Sequence, residues 1–342
     1  MTRVPRVVVL GATGVIGSRE AERLVADPAC EVVAVAAAGT TLPLLAYQAV
    51  ALGVYGVALA QGDLPAVHAA LEEANARAGT HVRPEILVGH DTATHAAAAG
   101  VDTVINAIRG AAGVDPSIAA LRSGAHLRVA NTETLLAAGL LAPSLRDGER
   151  LSQRLTLLNP RLDGIQEALE GGGAERVILT VRTPRPGRRR TTAMVDALTG
   201  LGAGLALLEL RAITDIPIDI VRHDGPITAI VEREGGHVVL TGRRRGARLD
   251  RPRTLTFEPT SSAGFDLAAS AAEAEGTYPL VLHAANEVAA AAHLAGELPA
   301  DAVLDVVAEV LDLHDDPGLA LPHLAPTARW AAQAARAAVA RR

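Results

Sequence analysis

The sequence predicts an α/β chain in three parts: an N-terminal Rossmann-like, doubly wound parallel sheet over residues 1–150, a central α+β domain over 151–275, and a C-terminal helical domain over 276–342. Three observations predict it. RVVVL (6–10) carries an unbroken apolar run from Val7 to Leu10 that leads straight into glycines spaced three apart. Strand-like and helix-like segments then alternate to about residue 150. Past that point the text becomes strand-rich and ends in long stretches of helical period.

RVVVL reads as a strand buried on both faces, because no polar residue interrupts its apolar core. Gly11, Gly14 and Gly17 follow, and the next residues form an amphipathic helix with Leu24 and Val25 turned inward. In a dinucleotide-binding turn the first glycine allows the tight bend and the second lets N–H groups approach a pyrophosphate. The third lets helix pack on strand. EVVAVAAAG (31–39) is a second parallel-type strand ending at Gly39. Thr40 and Thr41 stand where NAD enzymes place an acid and NADP enzymes often place a base. The missing acid favours NADPH over NADH.

PEILVGHD (84–91) and DTVINAI (102–108) read as further strands. The run from Gly110 to Gly113 opens a helix that Gly124 caps. HLRVANTETLL adds a strand running out to Asn131, Thr132 and Glu133. Beyond 151, RLTLLNP, RVILTVRTP, ITAIVEREGGHVVLTG and RTLTFEP are strand-like, and the third carries a Gly-Gly hairpin signal. A mixed or antiparallel sheet follows from them. TYPLVLHAANEVAAAAHLAGELPADAVLDVVAEVLDLH and APTARWAAQAARAAVARR are helical by period.

Composition narrows the function classes. Charged residues make up 20% and hydrophobic residues 49% of the chain, a globular balance. Aromatics are 2%, too few to stack bases, and the net charge of −6 offers no general field for nucleic acid or an anionic membrane. All 32 basic residues are arginine, which removes Schiff-base and lysine chemistry. One cysteine, Cys30, excludes an intrachain disulfide and a cysteine-rich zinc site and reads as inert. No apolar stretch reads as a membrane span or a cleavable leader, so a soluble, cytoplasmic protein is expected. Arg188, Arg189 and Arg190, and again Arg243, Arg244 and Arg245, read as solvated loop charges.

Three segments together, LGATGVIGS, INAIRGAAGVDPSIAALRSGAHLRVANTETLL and LHAANEVAAAAHL, resemble the 1-deoxy-D-xylulose 5-phosphate reductoisomerase family. The resemblance implies an NADPH-binding Rossmann domain, a catalytic α+β domain, a C-terminal helical bundle and a homodimer. It also implies a metal-assisted rearrangement of a ketose phosphate followed by reduction with NADPH. Thr13, Gly14, Val15 and Ile16 match the family's nucleotide-binding turn, with Gly11 before them. Gly39 matches the second strand end, where Thr40 replaces the family's basic residue. Asn131 and Glu133 match the outer, cofactor-touching members of an Asn-Lys-Glu motif, with Thr132 in place of the lysine. Asn286 matches a segment supporting a domain interface.

The departures fall where the family's chemistry lies. Asn159 and Arg161 stand at the two metal carboxylates of an Asp-Ser-Glu run, and Ala206 at the third. Arg182, Thr183 and Pro184 replace a Ser-Gly-Gly-Pro loop, and the lid after it is shortened to the bridge between Thr183 and Thr191. Hard divalent cations take several oxygen ligands, preferably anionic. This text therefore predicts no bound metal, although Asp163, Glu167, Asp196 and Glu209 are acids near enough in sequence to rebuild a site. Arg161 and Arg182 are candidate anchors for an anionic substrate, and Glu209 is a candidate catalytic acid one helical turn beyond Ala206. The expectation is a metal-independent NAD(P)-dependent oxidoreductase acting on a small anionic carbonyl or alcohol. The alternatives are a true reductoisomerase with a rebuilt metal site and a non-catalytic nucleotide-binding paralogue.

Overall fold

The structure, a computed structural model, describes residues 3–27, 29–131, 135–136, 155–158, 165, 168–169, 172–181, 195, 199–211, 214, 216–222, 229–233, 236–240, 258–259, 262–274, 276–318 and 320–342. The chain divides into two compact units, residues 1–134 with 154–158, and residues 135–153 with 159–342.

The first unit is a seven-stranded parallel sheet. Its strands are β1 (Arg6–Leu10), β2 (Glu31–Ala37), β3 (Gly56–Leu59), β4 (Glu85–Val88), β5 (Thr103–Asn106), β6 (His126–Val129) and β7 (Leu155–Leu157), in the order β4-β3-β2-β1-β5-β6-β7. Helices α1 (Val15–Val25), α2 (Leu42–Leu52), α3 (Leu64–Ala78), α4 (Thr92–Ala97) and α5 (Val114–Ser123) form the connections. Val8, Val9 and Leu10 have no exposed surface. Burying a side chain of this size contributes roughly 1.5–3 kcal/mol, so the apolar run at β1 specifies the centre of the sheet. On α1, Leu24 is buried as expected, but Val25 is 49% exposed. An inward stripe recurs every three or four residues, and Gly17, Ala21 and Leu24 already complete it.

Two features depart from the strand reading. β3 is a short run, Gly-Val-Ala-Leu, that does not stand out in alanine-rich text. β7, from the RLTLLNP segment expected in the α+β domain, instead pairs in parallel with β6, Leu127 against Leu155. Its apolar residues complete the first sheet.

The second unit carries a mixed sheet of β8 (Ala174–Val181), β9 (Ile218–Arg222), β10 (Ala229–Arg233), β11 (Gly236–Leu240) and β12 (Glu258–Pro259), in the order β11-β10-β8-β9-β12. β8 and β9 are parallel, and the other pairs are antiparallel. The expected hairpin is present, with Arg233 paired to Gly236, so the second glycine of the Gly-Gly step belongs to β11. Helices α6 (Leu201–Arg211), α7 (Ala263–Ala274), α8 (Tyr278–Ala295), α9 (Ala302–Asp312) and α10 (Leu321–Ala340) complete it. Their core is alanine, valine and leucine. Small side chains bring the backbones close: a Cβ on Gly204 of α6 would lie 2.2 Å from the Cβ of Ala268 on α7.

A polar latch ties the start of α8 to the loop after α9. The buried Thr277 hydroxyl donates to Asp316 Oδ1 at 2.7 Å, and its oxygen therefore accepts from His314 Nε2 at 2.8 Å. Gly276 adopts φ 51°, and a Cβ there would lie 2.0 Å from Asp316 Oδ2. The His314 ring packs edge-on against Tyr278 and tilted against Trp330. Burial holds His314 below its ordinary pKa of 6.5, against the pull of Asp316 and Asp315. Burial alone would raise Asp316, but hydrogen bonds from the Thr277 hydroxyl and from the Gly318 and Thr277 N–H groups, with the His314 charge, hold it below 3.8.

Both shifts act in the same direction. A histidine held low stays neutral when folded and takes up a proton on unfolding, so its stability is present above 6.5 and is lost as pH falls below that value. The depressed Asp316 adds stability that is lost at still lower pH. The thermal midpoint should therefore fall between about pH 7 and pH 5, and His314→Gln, which keeps a donor toward Thr277, should flatten that slope. Calorimetry across this range measures it, and parallel slopes for the two proteins would exclude the latch as the cause.

Candidate dinucleotide-binding site

The order of the first sheet reverses direction between β1 and β5, and in such sheets ligands bind where the carboxyl ends of those strands part. Leu10 is level with Asn106, so Gly11 and Ala107 leave the sheet side by side. Gly11 adopts φ 71°, and a Cβ there would lie 2.7 Å from the backbone carbon of Ala107. A side chain is therefore excluded twice, by conformation and by contact. A Cβ on Gly17 would lie 2.1 Å from the Gly11 oxygen, so the helix sits directly on the turn. Gly14, by contrast, is exposed and its missing Cβ would meet only the Gly11 oxygen, at 3.2 Å.

The turn is closed by the Gly14 N–H, which donates to Gly11 O at 2.9 Å, and Ala12 N–H donates to Ala36 O of β2 at 2.9 Å. The Ala12 carbonyl accepts from Ser18 Oγ at 3.1 Å and from Gln48 Nε2 at 2.9 Å. α1 begins without a side-chain cap and without an acid in its first turn. No hydrogen bond among the described residues uses the N–H groups of Thr13, Val15 or Ile16. Val15 is 74% exposed. These open donors, at the positive end of a helix dipole, suit an anion such as a pyrophosphate.

Beyond β2, Gly39 adopts φ 97°, and a Cβ there would lie 1.8 Å from the Gln61 oxygen. Thr40 and Thr41 are exposed, and the Thr41 hydroxyl does not cap α2. Two hydroxyls without an acid are compatible with a ribose 2′-phosphate.

Across the crevice, two asparagines hold the loop after β5. Asn106 has no exposed surface, donates to Gly113 O at 2.7 Å and Ser117 Oγ at 2.6 Å, and accepts from Ile108 N–H at 3.0 Å. Asn131, read from the sequence as a cofactor contact, is 4% exposed and donates to Ile108 O at 2.7 Å and Gly110 O at 2.9 Å. Its amide nitrogen positions that loop. Sequence reading passed over Asn106 and Gln48; the signal for each was a polar residue inside an otherwise apolar strand or helix face.

The remaining candidates divide plainly. Glu133, Asn159, Arg161 and Arg182 lie outside the described residues, as do Thr132, Asp163, Glu167, Asp196 and both arginine triplets. Glu209 is buried on α6 at 8% exposure, three residues beyond the half-buried Ala206. Cys30 precedes β2, with its thiol pushed up by burial and by Asp27, which disfavours the thiolate. No helix among the described residues is long and apolar enough to cross a membrane.

Comparison with known proteins agrees with this geometry. The family model described as 1-deoxy-D-xylulose 5-phosphate reductoisomerase matches residues 7–139, and that of the DXP reductoisomerase C-terminal domain matches residues 237–336. The 1-deoxy-D-xylulose 5-phosphate reductoisomerase of Beutenbergia cavernae is 32% identical over 98% of this chain and 97% of its own length. That of Kitasatospora griseola is 29% identical over 91% and 92%. Among solved structures, the Zymomonas mobilis reductoisomerase in complex with NADPH superposes with a TM-score of 0.77 at 24% identity, covering 98% of this chain and 99% of that one. A DOX-P reductoisomerase in complex with NADPH, fosmidomycin and magnesium gives 0.70 at 21% identity, over 98% of each chain. The last complex holds magnesium, so the expectation of a metal-free site finds no support among these relatives.

Gly17→Ala tests the turn directly. Inside an exposed helix this change stabilises by about 1 kcal/mol. Here the added methyl meets backbone, so the expected result is the opposite sign, a lower unfolding midpoint by the equivalent of about 1–3 kcal/mol with dinucleotide affinity weakened at least about tenfold. Differential scanning fluorimetry and fluorescence titration read the two effects, and a stabilised variant with unaltered affinity would contradict the close contact.

Proposed function

Because the chain belongs to the 1-deoxy-D-xylulose 5-phosphate reductoisomerase family, we propose that it is an NADPH-dependent oxidoreductase that reduces a small anionic carbonyl compound. The observation that carries this reading is the set of open N–H donors of Thr13, Val15 and Ile16 at the switch point of the first sheet. These residues fit the cofactor: the turn presents donors to a pyrophosphate, and Thr40 and Thr41 offer hydroxyls toward a 2′-phosphate. NADPH supplies the hydride when bound. The chain's own part is to fix the cofactor along the ends of β1 and β2 and to hold the loop after β5 rigid against it through Asn106 and Asn131. A homodimer belongs to the same proposal and rests on the family resemblance, and a cytoplasmic location is proposed with it.

Two substrate readings share this core. In the first, the substrate is the family's ketose phosphate and the reaction is the full rearrangement and reduction. The match over 98% of the chain to a relative bearing that name supports it. That reaction needs a cation site, for which Glu209, and Asp163, Glu167 and Asp196 outside the described residues, are the acids at hand. In the second, the chain reduces another small anionic carbonyl without a metal. The sequence reading that sets Asn159, Arg161 and Ala206 at the positions of the family's carboxylates supports this one, since an amide, a guanidinium and a methyl make a poor cradle for a hard cation. The comparisons favour the first reading.

One assay separates them. With 1-deoxy-D-xylulose 5-phosphate, NADPH and Mn²⁺, the first reading expects NADPH absorbance to decline and a chelator to stop the decline. The second expects no turnover of that substrate but chelator-insensitive oxidation with another member of a panel of anionic carbonyls. Cofactor binding without turnover anywhere in the panel would indicate a nucleotide-binding paralogue. Failure to bind either NADPH or NADH would remove the proposal altogether.

A further inference from the structure

We infer that Gln48 is a positioning residue for the cofactor pyrophosphate, acting through the Ala12–Thr13 peptide; the inference rests on the dinucleotide-binding reading above. Gln48 lies on α2, thirty-six positions from the turn in sequence, and is 4% exposed among the buried Leu45, Ala46, Ala49 and Val50. A carboxamide in such a place is costly unless its hydrogen bonds are made. One side of it is satisfied: Nε2 donates to Ala12 O at 2.9 Å and approaches Ser18 Oγ at 3.4 Å. A carbonyl oxygen only accepts, so the amide nitrogen must be the group that faces it. The other side is not satisfied, because Gln48 Oε1 is buried and has no partner among the described residues. Leucine or methionine would fill the same space with no orphaned acceptor. What glutamine adds is a donor aimed at one carbonyl.

That carbonyl sets the direction of the next donor. A trans peptide is planar, and its C=O and N–H point to opposite sides. Gln48 and Ser18 draw the Ala12 oxygen into the protein, and the Thr13 N–H in the same peptide is thereby turned outward. This is one of the three open donors at the start of α1. α2 itself begins immediately after Thr40 and Thr41. A single helix thus connects the segment that would meet the 2′-phosphate with the peptide that would meet the pyrophosphate.

The test compares wild type with Gln48→Met and Gln48→Glu by fluorescence titration of NADPH and NADH. Gln48→Met removes the donor and the orphaned oxygen together, so its unfolding midpoint should stay near that of the wild type. Its Kd should rise about fivefold for both cofactors, because the pyrophosphate is common to them, and KM for NADPH should rise with kcat unchanged. Gln48→Glu presents an acceptor to a carbonyl at neutral pH and should bind more weakly still. Its affinity should recover relative to wild type as pH is lowered, because only the protonated carboxyl donates.

Unchanged Kd values for both variants would overturn the inference. So would a loss confined to NADPH, which would place the effect at the 2′-phosphate. Should Gln48→Met fail to fold, Ser18→Ala, which removes the second donor to the same carbonyl, carries the test. Unaltered affinity in that variant for both cofactors would again overturn it. A wild-type protein that binds neither dinucleotide would instead defeat the functional proposal itself.

Discussion

Backbone meeting backbone at the end of β1 is the constraint on which the first unit depends. Gly11 leaves the central strand against Ala107 from the neighbouring strand, and Gly17 brings α1 down onto the Gly11 oxygen. No side chain intervenes at either place. The helix therefore starts where the strand stops, with its free N–H groups at the mouth of the crevice. The tie from Ala12 to β2 and the packing of Ala107 beside Gly11 fix both neighbours of β1 to the same point. The placing of those open donors follows from Gly11 and Gly17 being bare of side chains.

The second unit solves a different problem with similar means. Two per cent aromatic residues leave few large side chains to fill gaps between helices. Alanine and glycine instead let the helices approach until their backbones and small side chains fill the space, as at Gly204 and Ala268. The polar latch of Thr277, His314 and Asp316 then supplies direction that an alanine surface lacks. Hydrogen bonds fix angles and partners, whereas apolar burial is indifferent to both.

How much of this was legible in the sequence differs by range. The glycine turn, β1, β2 and α1 were legible because their signals are local: a β-branched run, fixed glycine spacing, then helical period. β3 was not, because four small apolar residues do not distinguish strand from helix. β7 was visible as a strand but not as a member of the first sheet, since partner choice is a tertiary fact that RLTLLNP does not encode by itself. Asn131 was found by motif and placed on the cofactor. The structure gives its amide nitrogen two backbone carbonyls, a distinction that only three-dimensional positions supply. Asn106 and Gln48 would have required weighing single polar residues inside apolar text. Glu133, Arg161 and Arg182 lie outside the described residues, so on them the resemblance alone speaks.

The membership of β7 in the first sheet has a further meaning for how the gene can be divided. The chain leaves the first unit after residue 134, comes back for residues 154–158, and leaves again. No single cut yields two self-sufficient pieces. A fragment stopping at residue 134 would present the outer edge of β6 with open backbone donors and acceptors, an invitation to pair with another copy. Division of the gene after the codon for residue 134 would part β7 from the sheet that it completes.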